Sequence, residues 1–190
     1  MAISRQEFFE IMASFPSGVA IVTTLGADGV PRGLTTTAVS SVSADPPTIL
    51  VCVDLGSRTL DALRARRRFV VNFVRQGCGQ LCMLFASKVD DKFEHVEWRP
   101  TRSGLPLLEE DAIAWAECST VHELEVGDHV IIVARVEEGG VVTDAESPLM
   151  YYRRSWGVWS PMHEPSEPDP VPVAAMEVSA RDLRWQGAEF

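Results

Sequence analysis

Residues 112–138 read AIAWAECSTVHELEVGDHVIIVARVEE, and they predict two long β-strands, Ala112–Glu123 and Asp128–Glu138. Apolar and β-branched residues run through both segments, as is typical of strands. The chain turns between them at Glu125–Gly127, where a glycine allows a tight connection. Two long strands joined so closely indicate an antiparallel β protein.

More strands are predicted on both sides of this pair. Upstream, Asp28-Gly29 is a typical hairpin turn. Downstream, Gly139-Gly140 is expected to turn the chain into another short strand. The remaining predicted strands are Val19–Leu25, Gly33–Ser43, Thr48–Val53, Phe69–Val74, Val141–Thr143 and Pro148–Tyr152.

Three short helices complete the pattern. The first opens with a capping box at Ser4 and Glu7, and its apolar residues are spaced to form one buried face: Phe8, Ile11, Met12 and Phe15. The second is expected to use Ser57 as its N-cap, and the third covers Gln76–Phe85. Strands and helices do not alternate, and no G-x-G-x-x-G follows a strand, which argues against a Rossmann nucleotide site. The predicted fold class is therefore mainly β, an antiparallel barrel with a few short helices.

Composition limits the partners. The 190 residues include 27 acidic and 17 basic side chains, so the formal net charge is −10. Nucleic acids and anionic membranes bind basic protein surfaces, and this chain is acidic, so neither is expected as a main partner. The four cysteines show no C-x-x-C spacing and have no histidine companions, so no metal site is predicted. They are expected to be small buried hydrophobic residues of a cytoplasmic protein.

The N-terminus has no apolar core of the signal-peptide kind, and no apolar run approaches the ~20 residues that span a bilayer. From residue 161 the composition changes to a proline-rich, acidic segment. We expect one domain over residues 1–160 and an extended or disordered arm over residues 161–190.

Four segments contain residues suited to binding or chemistry. Residues 33–43 are rich in Thr and Ser, which can hydrogen-bond a polar ligand or simply solvate one strand face. Residues 57–59 begin a helix, where free amides and Arg58 suit a phosphate, or where Ser57 only caps the helix. Residues 87–93 carry two lysines that could grip a phosphate or form a solvated turn. His129 follows Gly127-Asp128 and could contact a substrate or be structural.

Taken in this order, the segments resemble the flavin reductase-like family, whose fold is the FMN-binding split barrel. The chain looks most like the small NAD(P)H:flavin oxidoreductases that supply reduced flavin to two-component monooxygenases. The resemblance runs from about Phe8 to Trp159 and rests on these pieces: Phe15-Pro16-Ser17-Gly18-Val19, Val22-Thr23-Thr24, Gly33–Ser43, Asp45-Pro46-Pro47, Asp54 with Ser57 and Thr59, Val71-Asn72-Phe73, Asp91-Lys92-Phe93, Gly104-Leu105-Pro106-Leu107, Cys118 and Gly127-Asp128-His129.

The resemblance implies a homodimer with a flavin, FAD or FMN, at the subunit interface and NADH or NADPH as the hydride donor. The residues that it assigns to the flavin are Thr35, Thr36, Thr37, Asp54, Ser57, Arg58, Thr59, Asn72, Ser87, Lys88, Lys92 and Phe93. The threonines would line the ring and the ribityl chain, with Asp54 near the ring. Residues 57–59 would lie near the phosphate, and Asn72 would support their loop. The four residues of the 87–93 segment would flank the adenylate or the outer ring edge.

His129 matches the histidine that meets the nicotinamide in such reductases. The partner implied is a monooxygenase that uses reduced flavin. One alternative is a non-catalytic flavin- or heme-binding split-barrel protein, since a fold alone does not determine function. A second is a flavin-dependent oxidase of the pyridoxamine-phosphate type, which would favour more Arg and Lys around its substrate than the sequence places.

Overall fold

The computed structural model describes residues 2–142 and 147–160. Within these residues the chain forms α1 Arg5–Ala13, β1 Ser17–Gly18, β2 Ala20–Leu25, β3 Pro31–Thr36, β4 Val39–Ala44, β5 Pro47–Asp54, α2 Arg58–Arg66, β6 Arg68–Val74, α3 Gly79–Ala86, β7 Arg99–Pro100, β8 Pro106–Leu107, β9 Ala112–Val126, β10 His129–Val141, β11 Leu149–Tyr152 and β12 Ser155–Val158. A short 3₁₀ turn at Glu109–Asp111 precedes β9.

Seven strands form the main sheet in the order β3-β2-β6-β9-β10-β5-β4, and every neighbouring pair is antiparallel. The centre of this sheet is the predicted hairpin of β9 and β10, which turns at Gly127 with a φ of +61°, a conformation that favours glycine. A smaller sheet contains β1, β11 and β12, and β7 pairs with β8. The predicted mainly β, antiparallel fold class is confirmed.

The two outer strands of the main sheet, β3 and β4, are consecutive along the chain. Only residues 37 and 38 separate them, and such a connection spans no more than about 11 Å. The sheet must therefore curl until its edges meet, and the Cys52 N–H donates to the carbonyl of Ala38 at this seam, at 3.0 Å. The result is a barrel that is split along one side.

Side chains alternate between the two faces of each strand, and those on the inner face fill the barrel. Val22, Phe69, Val71, Val130 and Ile132 are almost completely buried in one cluster, against which α2 packs two of its own leucines. A second cluster on the other side of the sheet holds α3 through Cys82 and Phe85. These two helices cover opposite parts of the sheet, and their ends frame the site described below.

Several predictions were wrong in detail. The predicted strand Gly33–Ser43 is two strands, since the chain changes edges at residues 37 and 38. Gly139-Gly140 is not a turn: both residues lie inside β10, and the backbone of Gly139 packs against the Trp115 carbonyl of β9. The last strand, β12, was not predicted. Ser57 is the N-cap of α2, but its hydroxyl makes no capping hydrogen bond.

The first helix and its capping box are confirmed, but its buried face is wrong. None of the α1 residues is buried, and Phe8, Ile11 and Phe15 are 48%, 58% and 67% exposed. No residue of α1 belongs to the buried apolar clusters of the described chain. An apolar patch left open in this way is typical of a surface that meets another molecule.

The remaining expectations concern the cysteines, metal sites and termini. No disulfide joins the four cysteines, and burial raises the pKa of Cys82 and of Cys118 to about 12. Among residues 2–142 and 147–160 no group of three or more metal-binding side chains is present. No helix in the described ranges is long and apolar enough to cross a membrane. The predicted arm, residues 161–190, lies outside the described residues.

Candidate functional site

A groove of about 840 Å³ lies where β3, the end of β5, the start of α2 and the segment after α3 meet. All the predicted site residues except Thr37 and Asn72 line it. They are Thr35, Thr36, Asp54, Ser57, Arg58, Thr59, Ser87, Lys88, Lys92, Phe93 and His129. The volume falls within the range of about 300–1,000 Å³ that small-molecule sites occupy.

One wall of the groove comes from the ends of β5 and β10. Because strand side chains alternate, Cys52 and Asp54 lie on the face opposite the core residues Val51 and Val53. Asp54 pairs in register with His129, so the two polar residues are direct neighbours across the ladder. One Asp54 carboxylate oxygen accepts from the Gly56 N–H at 2.7 Å and shapes the turn into α2.

The start of α2 provides hydrogen-bond donors. The N–H groups of Arg58 and Thr59 find no acceptor in the described part of the chain, as is usual for a first helical turn. The hydroxyl of Ser57 is likewise uncommitted. The Thr59 hydroxyl donates to the Gly33 carbonyl at 3.0 Å and ties the helix to β3. Free amides at the positive end of a helix dipole are suited to a phosphate.

Arg58 crosses the mouth of the groove. Its guanidinium donates to the carbonyls of Lys88 and Val89, the latter at 3.2 Å, and forms an ion pair with Asp90. The positive charge of Arg58, which was predicted to bind a phosphate, is thus already paired with the Asp90 carboxylate. The Lys88 ammonium makes no hydrogen bond or ion pair within the described residues and is therefore uncommitted.

Lys92 closes the groove from the other side. Its ammonium donates to the carbonyls of Gly33, at 3.2 Å, and Phe85, at 2.8 Å. Burial lowers the pKa of Lys92, the Arg58 guanidinium lowers it further, and Asp90 opposes both. Two of its three N–H donors therefore fasten the 87–93 segment to β3, and one remains for a ligand.

Aromatic rings form the wall beside Lys92. Phe85 and Phe93 meet edge to face, with centroids 5.1 Å apart, and Trp98 continues the stack at 6.4 Å from Phe93. Phe85 lies so close to β3 that a Cβ on Gly33 would fall 2.6 Å from its ring. Glycine is required there, because any side chain would push the wall away from the strand.

Several predicted hydroxyls are committed to the framework. The Thr35 hydroxyl donates to the Cys82 carbonyl and the Ser87 hydroxyl to the Leu84 carbonyl, both at 2.7 Å. The Thr36 hydroxyl accepts from the Ala38 N–H at 3.0 Å, next to the barrel seam. These side chains line the groove and fix its shape, and each hydroxyl oxygen keeps capacity for a further hydrogen bond.

His129 lies at the end of the groove with its ring half exposed. Its Nδ1 contacts an Asp128 carboxylate oxygen at 2.7 Å. This hydrogen bond, together with the charge of His129, lowers the pKa of Asp128 below its ordinary value. An imidazole oriented through Nδ1 leaves Nε2 available to a substrate.

Two predicted site residues lie elsewhere. Thr37 is exposed at the barrel seam and lines a second, mostly apolar cavity of about 420 Å³ beside Phe15 and Val39. Asn72 is buried: its amide donates to the Ile21 carbonyl at 2.9 Å and accepts from the Leu108 N–H at 2.9 Å. Asn72 therefore supports the loop before β9 instead of the loop at α2, and its assigned role there is corrected.

Sequence reasoning missed Arg32, Gly33, Cys52, Phe85 and Asp90, all of which line the groove. Alternation along the predicted strand Thr48–Val53 could have found Cys52, since it separates that residue from its buried neighbours. No local pattern identifies Asp90, because its partner Arg58 is 32 positions earlier in the chain.

The chain also resembles known proteins. Residues 12–160 match the model of the flavin reductase like domain. A flavin reductase (NADH) of Kitasatospora aureofaciens is 44% identical over 179 residues, which cover 94% of this chain and 91% of that protein. A flavin reductase (NADPH) of Lentzea aerocolonigenes is 40% identical over 80% of this chain and 88% of that protein.

A third curated relative is the reductase component of a 4-nitrophenol 4-monooxygenase/4-nitrocatechol 2-monooxygenase of Rhodococcus opacus, 38% identical over 84% of this chain and 83% of that protein. Among solved structures, an NADH:FAD oxidoreductase of Streptomyces globisporus in complex with NAD and FAD fragments superposes with a TM-score of 0.78. It is 28% identical, and the match covers 85% of this chain and 96% of that one.

Proposed function

The chain belongs to the flavin reductase-like domain family, and we propose that it is an NAD(P)H:flavin oxidoreductase whose flavin site is the groove between β3, β5, α2 and the 87–93 segment. The single observation that carries this assignment is the arrangement of polar groups along the groove. Unpaired amides and cationic side chains at the start of α2 line the groove together with the Asp54–His129 pair.

The residues present fit a flavin nucleotide. The Arg58 and Thr59 amides, the Ser57 hydroxyl and the Lys88 ammonium would hold its phosphate, since a helix N-terminus stabilises a negative charge. Its polar chain finds hydroxyl groups along β3, and the aromatic wall of Phe85 and Phe93 offers apolar contact. The flavin, when bound, supplies the ability to accept a hydride and pass electrons on.

The protein's own task is to orient the two nucleotides. Holding two reactants in a productive geometry can lower a barrier by roughly 7–11 kcal/mol, which exceeds the effect of one proton transfer. His129 contacts the nicotinamide in this proposal, and Asp128 keeps its ring in one orientation through Nδ1. The groove needs no nucleophile, and Cys52 has none of the features of an activated thiol, since burial raises its pKa.

The proposal includes a monooxygenase as the consumer of reduced flavin. The Rhodococcus opacus relative is named as a reductase component of such a system. The proposal includes a flavin that leaves after reduction: the side chains of Arg58, Thr35 and Lys92 already have protein partners, so they would add less to ligand retention than uncommitted groups.

We also propose that two copies of this chain associate. The exposed apolar side chains of α1 and the apolar cavity beside Phe15 offer a surface that a second copy would cover. Light scattering coupled to size-exclusion chromatography tests this proposal, and a monomer at micromolar concentration would contradict it. The cytoplasmic location stays a prediction.

The test of the proposed function is oxidation of NADH and of NADPH, followed at 340 nm, with FMN, FAD or no added flavin. We expect turnover that depends on added flavin, and the fastest combination identifies both nucleotides. Tight flavin binding without turnover would instead support the non-catalytic binding protein. Absence of both binding and turnover would refute the assignment of the groove.

A further inference from the structure

The mouth of the groove holds an ion pair that the proposed function does not use. Arg58 begins α2, and Asp90 lies in the segment after α3. The Arg58 guanidinium bonds to the Asp90 carboxylate and also to the carbonyls of Lys88 and Val89. Its donors are therefore directed at the 87–93 segment, which lines the same groove.

Arg58 is the guanidinium placed best for a phosphate. It extends from the first turn of α2, where the uncommitted amides also lie. The other basic residues of the described groove lining are Arg32, Lys88 and Lys92. Arg32 pairs with Asp28 at 2.9 Å, and Lys92 is fixed by two carbonyls. A phosphate bound at α2 therefore competes with Asp90 for the same donors, since carboxylate and phosphate both bind the guanidinium fork.

We propose that Asp90 is a resident competitor for the flavin phosphate: its carboxylate holds Arg58 until a flavin nucleotide displaces it. This inference rests on the proposed function, because it needs the flavin phosphate at the start of α2. Displacing Asp90 lowers the affinity for the nucleotide, and its return to Arg58 speeds release. Both effects suit a flavin that serves as a substrate and is passed on.

The size of the effect follows from exposure. The side chains of Arg58 and Asp90 are 51% and 88% exposed, so water and salt screen the pair strongly. An exposed ion pair of this kind changes an equilibrium by about two- to fivefold. Asp90 is thus expected to tune flavin affinity over that range without preventing binding. Because Asp90 projects into solvent, replacing it leaves the fold intact.

The experiment compares Asp90→Asn with the wild-type full chain in fluorescence titrations of FMN, FAD and riboflavin at low ionic strength. We expect the variant to bind FMN and FAD about two- to fivefold more tightly. Riboflavin lacks a phosphate, so its affinity should not change. The matched control is Asp91→Asn, which removes the neighbouring carboxylate and should leave all three dissociation constants unchanged. Stopped-flow measurements should show slower release of FMN from Asp90→Asn.

A second variant connects the effect to Arg58. In an Arg58→Gln background, Asp90→Asn should give no further gain in FMN affinity, which a double-mutant cycle measures. The inference is overturned if wild-type protein binds FMN and Asp90→Asn leaves that affinity unchanged or weakens it. Equal tightening of riboflavin would also overturn it, because the effect would not act through the phosphate. Failure of the wild-type protein to bind any flavin would refute the proposed function and this inference together.

Discussion

At His129 the site combines a half-exposed imidazole with a fixed orientation. Asp128 accepts from Nδ1, and the register of β10 and β5 places the residue beside Asp54. In the proposed function the ring positions the nicotinamide, and hydride transfer requires no proton from it. Its removal should therefore affect use of the nicotinamide nucleotide more than the maximal rate.

His129→Ala is predicted to raise the KM for NADH about tenfold and to lower kcat by less than about tenfold, well below the 10²–10⁴-fold that loss of a proton-transfer group costs. Steady-state kinetics at saturating flavin measure both constants. His122→Ala is the matched control, since His122 is exposed on β9 and lies outside the groove. Wild-type kcat/KM for NADH in His129→Ala would contradict the role of this residue.

The titration of Asp128 tests the same contact from the other side. The hydrogen bond from His129 lowers the pKa of Asp128 from its ordinary value of 3.8. Because the pKa of Asp128 is lowered in the folded state, its contact with His129 stabilises the fold at pH values above the ordinary pKa. This stabilisation is lost as the pH falls through the lowered pKa. The contact is therefore intact at neutral pH.

Carboxyl-carbon NMR of Asp128 should show a midpoint below 3.8 in the wild-type protein and a return toward 3.8 in His129→Ala. The upward shift follows because the variant loses the group that stabilises the ionised carboxylate. A midpoint that does not move on removing His129 would show that the two side chains are not in contact in solution.

At the scale of elements, Lys92 fastens the 87–93 segment to β3. Lys92→Met keeps most of the side-chain volume but removes both hydrogen bonds to the Gly33 and Phe85 carbonyls. We predict a loss of about 1–2 kcal/mol in the free energy of unfolding and faster hydrogen exchange across residues 85–93. Lys88→Met, on the same segment, should change neither quantity. Equal effects of the two substitutions would show that the segment is held by other contacts.

Arg68 and Glu117 join β6 to β9. Glu117 is almost fully buried and accepts from Arg68 at 2.6 Å and from the Ser103 hydroxyl, while Arg68 keeps 43% of its side chain exposed. Removing the arginine leaves a buried charge without its counter-ion, which costs about 3–5 kcal/mol. Removing the carboxylate leaves a guanidinium that can reach water.

We therefore predict that Arg68→Met lowers the free energy of unfolding by about 3 kcal/mol or more, and Glu117→Gln by only about 1–2 kcal/mol. Urea denaturation followed by tryptophan fluorescence measures both variants. A larger loss in Glu117→Gln than in Arg68→Met would contradict the argument from exposure.

Helices and strands could be predicted from the sequence where a local pattern determines them. The β9–β10 hairpin shows in its β-branched runs and Gly127, and α1 in its capping box. Prediction failed where the outcome depends on distant partners. Residues 33–43 have one uniform strand composition, and they divide only because the barrel edges meet at residues 37 and 38.

The same distinction separates the site residues. The helix start made Ser57 and Arg58 candidates for a phosphate site, whereas the family resemblance assigned His129, since a single histidine at a strand start is more often structural. The commitment of Lys92 to two carbonyls could not be predicted, since it depends on how α3 packs against β3. The role predicted for Asn72 was wrong for a related reason. A polar residue in a buried strand can hydrogen-bond any neighbouring loop, and here Asn72 accepts from the Leu108 N–H.

At the scale of the whole molecule, the family match ends at residue 160, and the described residues up to Trp159 belong to one compact unit. The division between a domain over residues 1–160 and an arm over 161–190 stays a prediction. A chain truncated after Ser160 should unfold cooperatively with a midpoint within about 3 °C of the full chain, a shift that corresponds to roughly 1 kcal/mol at this size. Calorimetry tests this, and loss of the cooperative transition would contradict it.

Because Asp54 pairs with His129 across two strands, the site forms only when β5 and β10 align in the correct register. Val51, Cys52, Val53 and Asp54 alternate between the core and the groove, so a slip of β5 by one position would present valines to the ligand and a carboxylate to the barrel interior. A misfolded copy could keep every strand and nearly the same circular dichroism, yet have no site. Activity per folded molecule therefore measures how faithfully refolding chains align this one strand pair.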